Sequence, residues 1–514
     1  MHLKYAPSRG GWPLFFRVFS IFLNYTTAMH AAAHPAIPTD IDVLFVDLDG
    51  TLITSDCTYE SLASAAVASP GAAARAMLQE LPSRGLAAMK ATLAQIAAPD
   101  AQTLPYIEAS LDYLRLCKQH GVRLVLATAS TMAVARPVAE HLGLFEDIIA
   151  TTPDGPNLKG RAKRAAMQDW CLAHGCTRMG YMGDSSADRP IFAAVDRAVF
   201  VSHHPRKPRD PAAFVHTVHA GVDRPGAVLR LMRPHHWIKN LLVFTPVLTS
   251  HRWTDASVVI ASLLAFVAMS LVASAVYVSN DLCDIASDRR HPRKHKRPVA
   301  SGEVRAPTAI RLSLVLLAAA LVLGFAALPW QAGVMILGYA VLATWYSIRL
   351  KRLPGVDVAT IAGLHLWRVW VGGAATGIGV SAWLLAFTAA TFFSIACIKR
   401  FAELRHGRTL VDGQLRGRAY RRSHSRRIGV IGVAAAALAV LVLLIYVTSP
   451  TAAHLYQQPS WLYLACGLTT LWFARAWRLA RQGRMIDDPL LFAVRDPLSW
   501  AAAAGVLATL ALAM

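Results

Sequence analysis

Charge is scarce in this sequence, and acid is scarcer than base: 16% of the 514 residues are charged, with 31 Asp plus Glu against 52 Lys plus Arg, for a formal net charge of +21. So small a charged fraction beside 55% hydrophobic residues excludes an ordinary soluble protein and predicts a membrane part. Cysteine is sparse too. The seven thiols, Cys57, Cys117, Cys171, Cys176, Cys283, Cys397 and Cys466, form no CxxC pair and no zinc or disulfide spacing, which fits a reducing cytoplasm. A clean signal peptide is also missing. The apolar stretch 14–23 is interrupted by Arg17 and no small-residue cleavage site follows it. Residues 1–40 therefore read as a disordered leader or a misplaced start, with Met29 as the alternative first residue.

What is present divides into two parts. From 41 to 220, short β-branched runs (43–46, 123–127, 178–182) alternate with Ala-rich helical stretches, the pattern of a doubly wound parallel sheet. A polar, proline-rich and basic segment, 203–233, ends this unit. From 221 to 514 apolar segments recur at 238–249, 256–279, 308–328, 331–347, 354–375, 380–398, 428–447, 459–476 and 497–513. That makes about nine spans, although the first is shorter than the roughly 20 residues a bilayer crossing needs.

The connecting loops are asymmetric. Every second one is basic, carrying Arg289, Arg290, Arg293, Lys294, Lys296 and Arg297, then Arg349, Lys351 and Arg352, then Lys399, Arg400, Arg405, Arg408, Arg416, Arg418, Arg421, Arg422, Arg426 and Arg427, then Arg481 and Arg484. The other loops offer essentially Arg252. The positive-inside rule makes the basic face cytoplasmic, and parity puts the N-terminal unit there as well, in a multi-pass protein of the bacterial inner membrane. Charges distributed by topology, with no aromatic stacking platform among them, also argue against a nucleic-acid partner.

In the first unit Asp47 and Asp49, in FVDLDGTL, follow a strand, where α/β sheets place ligands. Thr128 closes the second strand, Lys159 lies in NLKG, and GDSSAD, with Asp184 and Asp188, ends the third. Any one of these alone is more often a turn than a site. Together, in this order, they resemble the four motifs of the haloacid dehalogenase (HAD) superfamily. The resemblance implies that Asp47 is the nucleophile, Asp49 the general acid and base, and Thr128 and Lys159 the phosphate-binding pair. It also implies that Asp47, Asp184 and Asp188 hold Mg2+. The chemistry is consistent, because a carboxylate attacking a phosphate dianion needs neutralisation by a hard cation and a lysine. The Ala-rich stretch of about 53–120 resembles the helical cap that such proteins insert after the first motif.

In the second unit NDLCDIASD closes a span, and its spacing puts Asp281, Asp284 and Asp288 on one predicted helical face. Ionisable groups in a span cost roughly 2.5–3.5 kcal/mol each at the bilayer centre, so this cluster should face an enclosed cavity and bind cations. A diphosphate bridged by Mg2+ is the natural partner, with the basic stretch 293–302 beside it. The motif resembles the UbiA superfamily of intramembrane prenyltransferases, and LMRPHHWIKNLLVF resembles the subgroup that includes decaprenyl-phosphate phosphoribosyltransferase. YSIRLK with Asp357 extends that likeness. The second, multi-aspartate motif of the aromatic prenyltransferases is reduced here to Asp357. The resemblance implies Asn280, Asp281, Asp284 and Asp288 around the Mg2+ and diphosphate of phosphoribosyl diphosphate. It places Lys239, Asn240, Arg297, Tyr346, Lys351 and Asp357 among the substrate contacts. Lys399, Arg400, Glu403, Asp487, Asp488 and Asp496 are open between function and topology.

The expected architecture is an α/β HAD-like Rossmannoid domain with a helical cap, then an all-α polytopic UbiA-like domain. The expected chemistry is phosphoribosyl transfer to a polyprenyl phosphate, followed by removal of the 5-phosphate. Two rivals stand beside it: transfer from a prenyl diphosphate to an aromatic or other small acceptor, and a membrane half that only anchors the phosphatase.

Overall fold

A computed structural model of the chain describes residues 36–203, 214–405, 410–411, 414–415, 418–485 and 488–514. The predicted leader up to residue 35, and Arg408, Arg416 and Asp487, lie outside them.

The first unit is built on β1 (Val43–Val46), α1 (Cys57–Ala68), α2 (Leu81–Ala97), α3 (Glu108–Gln119), β2 (Arg123–Thr131), α4 (Met132–Leu142), β3 (Asp147–Thr151), α5 (Arg161–Ala173), β4 (Met179–Gly183), β5 (Arg197–Ser202) and β6 (His216–His219). The six strands form one parallel sheet in the order β3-β2-β1-β4-β5-β6. Strand β1 is central and wholly buried: Leu44 and Val46 enter the core on one face, and Val43 and Phe45 the core on the other. A strand covered on both faces must be apolar throughout, which is why VLFV shows no alternation. Because β2 and β4 both pair with β1, the three strand ends that carry Asp47, Thr128 and Asp184 are neighbours.

The cap packs on its own small core of Ala65, Ala73, Ala76, Met89 and Leu93. It is shorter than the predicted stretch, because Leu111 and Leu114 of α3 belong to the main core beside the sheet. Helix α2 is broken at Gly85, whose φ of 84° lies in the left-handed region that glycine tolerates.

The second unit comprises the 3-10 segment Pro234–Phe244, α6 (Ala256–Cys283), α7 (Ile285–Arg289), α8 (Ala306–Ala326), α9 (Trp330–Ile348), α10 (Val356–Thr376), α11 (Ala382–Arg405), α12 (Ser425–Val447), α13 (Leu462–Arg481), α14 (Pro489–Arg495) and α15 (Pro497–Ala513). Among the described residues five helices are long and apolar enough to cross a membrane, or up to six if the pair α14–α15, bent by 85°, is one span. The expected nine are not reproduced by length and composition. The 238–249 segment is 3-10 helix followed by the short helix Thr245–Thr249, while α10 carries Asp357 and Arg368, and α13 carries Arg475, Arg478 and Arg481. Exposed Leu, Val, Ile and Trp side chains along α8, α9, α12 and α15 give these helices an apolar outer surface, the face a bilayer covers.

The two units touch through the cap. Arg289, at the end of α7, donates two bonds to Glu60 of α1, at 2.7 and 2.6 Å, and both side chains are about 95% or more buried. Arg290 meets Asp100 at 2.7 Å. Gly302, at φ +78°, lies so close to Thr54 and Pro105 that a Cβ there would overlap both. Those two residues form the crossing between core and cap, joined by the Thr54 N–H and the Pro105 carbonyl at 3.0 Å.

Candidate functional site

At the strand ends, Asp47 accepts from the Leu48 N–H at 2.8 Å and from the Lys163 ammonium at 2.9 Å. Asp49 accepts from the Cys57 N–H at 2.8 Å and from the Ser130 hydroxyl at 2.7 Å. Burial first, then the nearby Asp56 carboxylate, pushes the Asp49 carboxyl up to about 7, against the lowering effect of those two bonds. A carboxyl held there is a proton donor near neutral pH. Thr128 is buried, its hydroxyl accepting from the Ser130 N–H at 3.0 Å.

Asp47, Asp184 and Asp188 each offer an oxygen, all within 4.8 Å of one another. Burial, then Asp47, raises the Asp188 carboxyl to about 6, with Lys163 opposing. Three crowded acids of this kind fit a hard divalent cation. Gly50 is required beside them: its φ is +78°, and a Cβ would collide with the Asp184 carboxylate. Asp184 is otherwise held by His203 Nε2 at 3.0 Å.

The lysine against Asp47 is Lys163, which the sequence reading missed. Lys159 is exposed on the loop before α5 and makes no such contact, whereas Lys163 sits in the first turn of α5, 1% exposed, with the Tyr181 hydroxyl at 3.1 Å. Gly160, at φ +57°, separates the loop that carries Lys159 from α5, so only Lys163 is carried on the helix. Ser130 was missed as well, as was Lys90 of α2, whose ammonium reaches the Ala129 carbonyl at 2.9 Å and the Asn157 side-chain oxygen at 3.0 Å.

In the membrane half the three aspartates do not share one helical face, because α6 ends at Cys283 and Asp284 stands at the break before α7. Asp281 and Asp288 are buried and bridged by Arg297, at 3.0 and 2.5 Å, and Arg233 adds a second contact to Asp281 at 2.5 Å. Arg233 is a non-glycine residue at φ +53°, a strained conformation that here accompanies its contact with the acid. Asp284 turns instead to Lys351, at 2.9 Å. One oxygen each of Asp281 and Asp288 is buried without a hydrogen-bond partner, which fits a cation, and Arg233 and Arg297 stand ready for its phosphate ligand. Asn280 lies beside them, half-buried.

The remaining predicted contacts form two further clusters. Tyr346 donates to Asp357 at 2.8 Å, and Asp357, fully buried, is also paired with Arg400 and Arg418. Two guanidiniums already neutralise that carboxylate, so it acts as an anchor for arginines and is no free metal ligand. Lys239 and Lys399 share Asp488, at 3.1 and 2.9 Å. Asn240 accepts from the Arg368 guanidinium at 2.9 Å and donates to Ser270 at 3.1 Å.

Fold and site together define an α/β domain with three clustered carboxylates, fastened to a polytopic helical domain with an acidic, arginine-ringed centre. Comparison with known proteins agrees. Residues 242–495 match the UbiA prenyltransferase family and residues 44–193 the haloacid dehalogenase-like hydrolases. The uncharacterized protein y4nM of Sinorhizobium fredii is 32% identical over 479 residues, which cover 92% of this chain and 91% of that one. The nodulation protein NoeC of Azorhizobium caulinodans is 36% identical over 270 residues, 51% of this chain and 85% of that one. Decaprenyl-phosphate phosphoribosyltransferase of Corynebacterium glutamicum is 34% identical over 188 residues, but these are 35% of this chain and 56% of that one. The chain belongs to the UbiA prenyltransferase family and carries a haloacid dehalogenase-like hydrolase domain ahead of its membrane half. It is an integral membrane protein.

Proposed function

We propose that this chain is a bifunctional membrane enzyme: its membrane half transfers 5-phosphoribosyl from phosphoribosyl diphosphate to a polyprenyl phosphate, and its phosphatase domain removes the 5-phosphate from that product. The observation that carries the pairing is the buried Glu60–Arg289 bond, which fastens the phosphatase cap to the residue directly after Asp288. Two sites so joined serve consecutive steps at one membrane face, which the basic loops make cytoplasmic. The likeness of the membrane half to decaprenyl-phosphate phosphoribosyltransferases supports the choice of substrates.

In the transferase step a lipid phosphate oxygen attacks ribose C1 and pyrophosphate departs. Asp281 and Asp288, with Asp284 beside them, would hold Mg2+, which supplies charge neutralisation for the leaving diphosphate. Arg233, Arg297 and Lys351 take up diphosphate oxygens.

In the phosphatase step an Asp47 oxygen bonds to phosphorus while the bond to the sugar oxygen breaks, and Asp49 gives that oxygen its proton. Asp49, now ionised, takes a proton from the water that hydrolyses the aspartyl phosphate, releasing inorganic phosphate. Asp47, Asp184 and Asp188 would hold a second Mg2+.

The test is mass spectrometry of products from the purified full chain with Mg2+, phosphoribosyl diphosphate and polyprenyl phosphate. Wild type should give polyprenyl-phosphoryl ribose, Asp47→Asn should stop at its 5-phosphate, and Asp281→Asn should give neither. Absence of any ribosylated lipid from wild type overturns the assignment and makes prenyl diphosphates the next donors to try.

A further inference from the structure

Of Lys90, Lys159 and Lys163, only Lys163 is committed to Asp47. Lys90 arrives from the cap on α2 and spans the seam to the core, its ammonium on the Ala129 carbonyl at 2.9 Å and the Asn157 side-chain oxygen at 3.0 Å. Lys159 stands two residues beyond Asn157, its N–H donating to the Asn157 carbonyl at 2.8 Å, with its side chain exposed. Burial is the main cause lowering the Lys90 ammonium below the usual lysine range, with Lys159 adding to it, while Asp49 and then Asp56 are the acids opposing it most.

Ala129, which accepts from Lys90, directly precedes Ser130, whose hydroxyl donates to Asp49 at 2.7 Å, so Lys90 lies on the side of the general acid. That is where the departing group sits during phosphoryl transfer, so a cation there meets the leaving group rather than the transferred phosphate. Its present partners are neutral oxygens, so no carboxylate neutralises it by direct hydrogen bonding and an anion can pair with its charge. Arg84, from the same helix, closes the outer edge of the seam on Asp154 at 3.0 Å.

We infer that Lys90 and Lys159 form a second anion subsite at the cap–core seam, selecting phosphate monoesters whose leaving group carries a further phosphate charge. The inference rests on the phosphatase reading above and deepens it, since the 5-phosphate of a lipid-linked ribose departs from a group that bears a phosphodiester. Soluble sugar bisphosphates share that chemistry.

The experiment compares two water-soluble probes on the full chain in detergent: ribose 5-phosphate, and its analogue bearing a methyl phosphodiester at C1, so that each has a single monoester. Wild type should prefer the diester probe by about 10- to 100-fold in kcat/KM. Lys90→Met and Lys159→Met should each bring the ratio toward 1, and Lys90→Arg should keep most of it. A merely structural cap latch would lower both substrates alike and leave the ratio unchanged. That result, or a wild type without preference, overturns the subsite. Replacing methyl by farnesyl then separates the sources: a further gain marks a lipid-linked substrate, and no gain marks a soluble one. Because neither probe needs the transferase, failure of phosphoribosyl transfer leaves this result readable.

Discussion

Lys163→Met is the sharpest test of how the phosphatase centre is built. The Lys163 side chain is 2% exposed and lies 2.9 Å from the Asp47 carboxylate, which shares its surroundings with Asp184 and Asp188. Removing one partner of a buried ion pair costs about 3–5 kcal/mol, chiefly because the charge left behind has no compensation. Part of that loss falls on the ground state and part on the phosphoryl group that takes over the charge of Asp47 in the transition state. At 1.36 kcal/mol per tenfold change, a share of about 3–4 kcal/mol corresponds to a 10^2–10^3 loss in kcat/KM. The assay is initial-rate hydrolysis of p-nitrophenyl phosphate by the full chain in detergent, with thermal unfolding measured alongside. Lys159→Met, which removes an exposed ammonium with no contact to Asp47, should lose less than about tenfold on this substrate, whose leaving group lacks a second anion. If Lys159→Met is the more damaging of the two, the assignment of Lys163 is wrong and the motif lysine is Lys159.

Asp49, held at about 7, is protonated and able to donate below that value, so formation of the aspartyl phosphate should fall as pH rises through about 7. In single-turnover measurements Asp49→Asn should flatten that limb and cost about 10^2–10^4 in rate. A limb that survives the substitution refutes the role. The sign for stability is the same: a carboxyl raised by the fold favours the folded state less as pH rises from the ordinary carboxylate range to about 7, so Asp49→Asn should be relatively more stable at pH 8 than at pH 5 by thermal unfolding. Glu60→Gln strands the buried Arg289 guanidinium and should lower the unfolding midpoint, whereas Glu60→Leu with Arg289→Met should recover much of it; equal losses in both would show that the ion pair contributes nothing specific. Gly50→Ala should abolish phosphatase activity while transferase activity stays, because the new Cβ meets the Asp184 carboxylate.

The acid positions of the phosphatase were legible because strand-end carboxylates are local features: an apolar run followed by DLDGT fixes both the strand and the loop. The lysine was not legible, since choosing between Lys159 and Lys163 depends on where α5 begins and which way it points across the sheet, and both are tertiary properties. The same holds in the membrane half. Spacing alone makes Asp281, Asp284 and Asp288 one stripe on an unbroken helix, but α6 ends after Cys283, so Asp284 turns away to Lys351 while Asp281 and Asp288 share Arg297. The predicted count of spans is not reproduced by length and composition for a related reason. Hydropathy treats each apolar run alike, whereas α10 and α13 carry arginines that are affordable only because partners such as Asn240 and Asp496 lie on neighbouring elements.

The docking of the two units follows from one short segment. Asp288 faces the acidic centre and Arg289, next in sequence, faces the cap; Arg297 bridges the acids and Gly302, five residues on, lies against the cap crossing at Thr54 and Pro105. Between them the turn is stiffened by bonds from the Ser301 N–H to the Arg297 carbonyl and from the Val304 N–H to the Pro298 carbonyl, both at 2.9 Å. A cation on the unpartnered oxygens of Asp281 and Asp288 would sit beside the Arg297 guanidinium, which holds the other oxygen of each, and through this turn Arg297 is tied to the crossing between core and cap. The cap is fastened to the membrane domain by the buried Glu60–Arg289 pair, and the segment after β6 is fastened there as well, by Asp223 to Arg305 and Thr308. The basic loop thus does two things through neighbouring residues: Arg297 balances the acids of one site, and Arg289 and Gly302 hold the cap of the other.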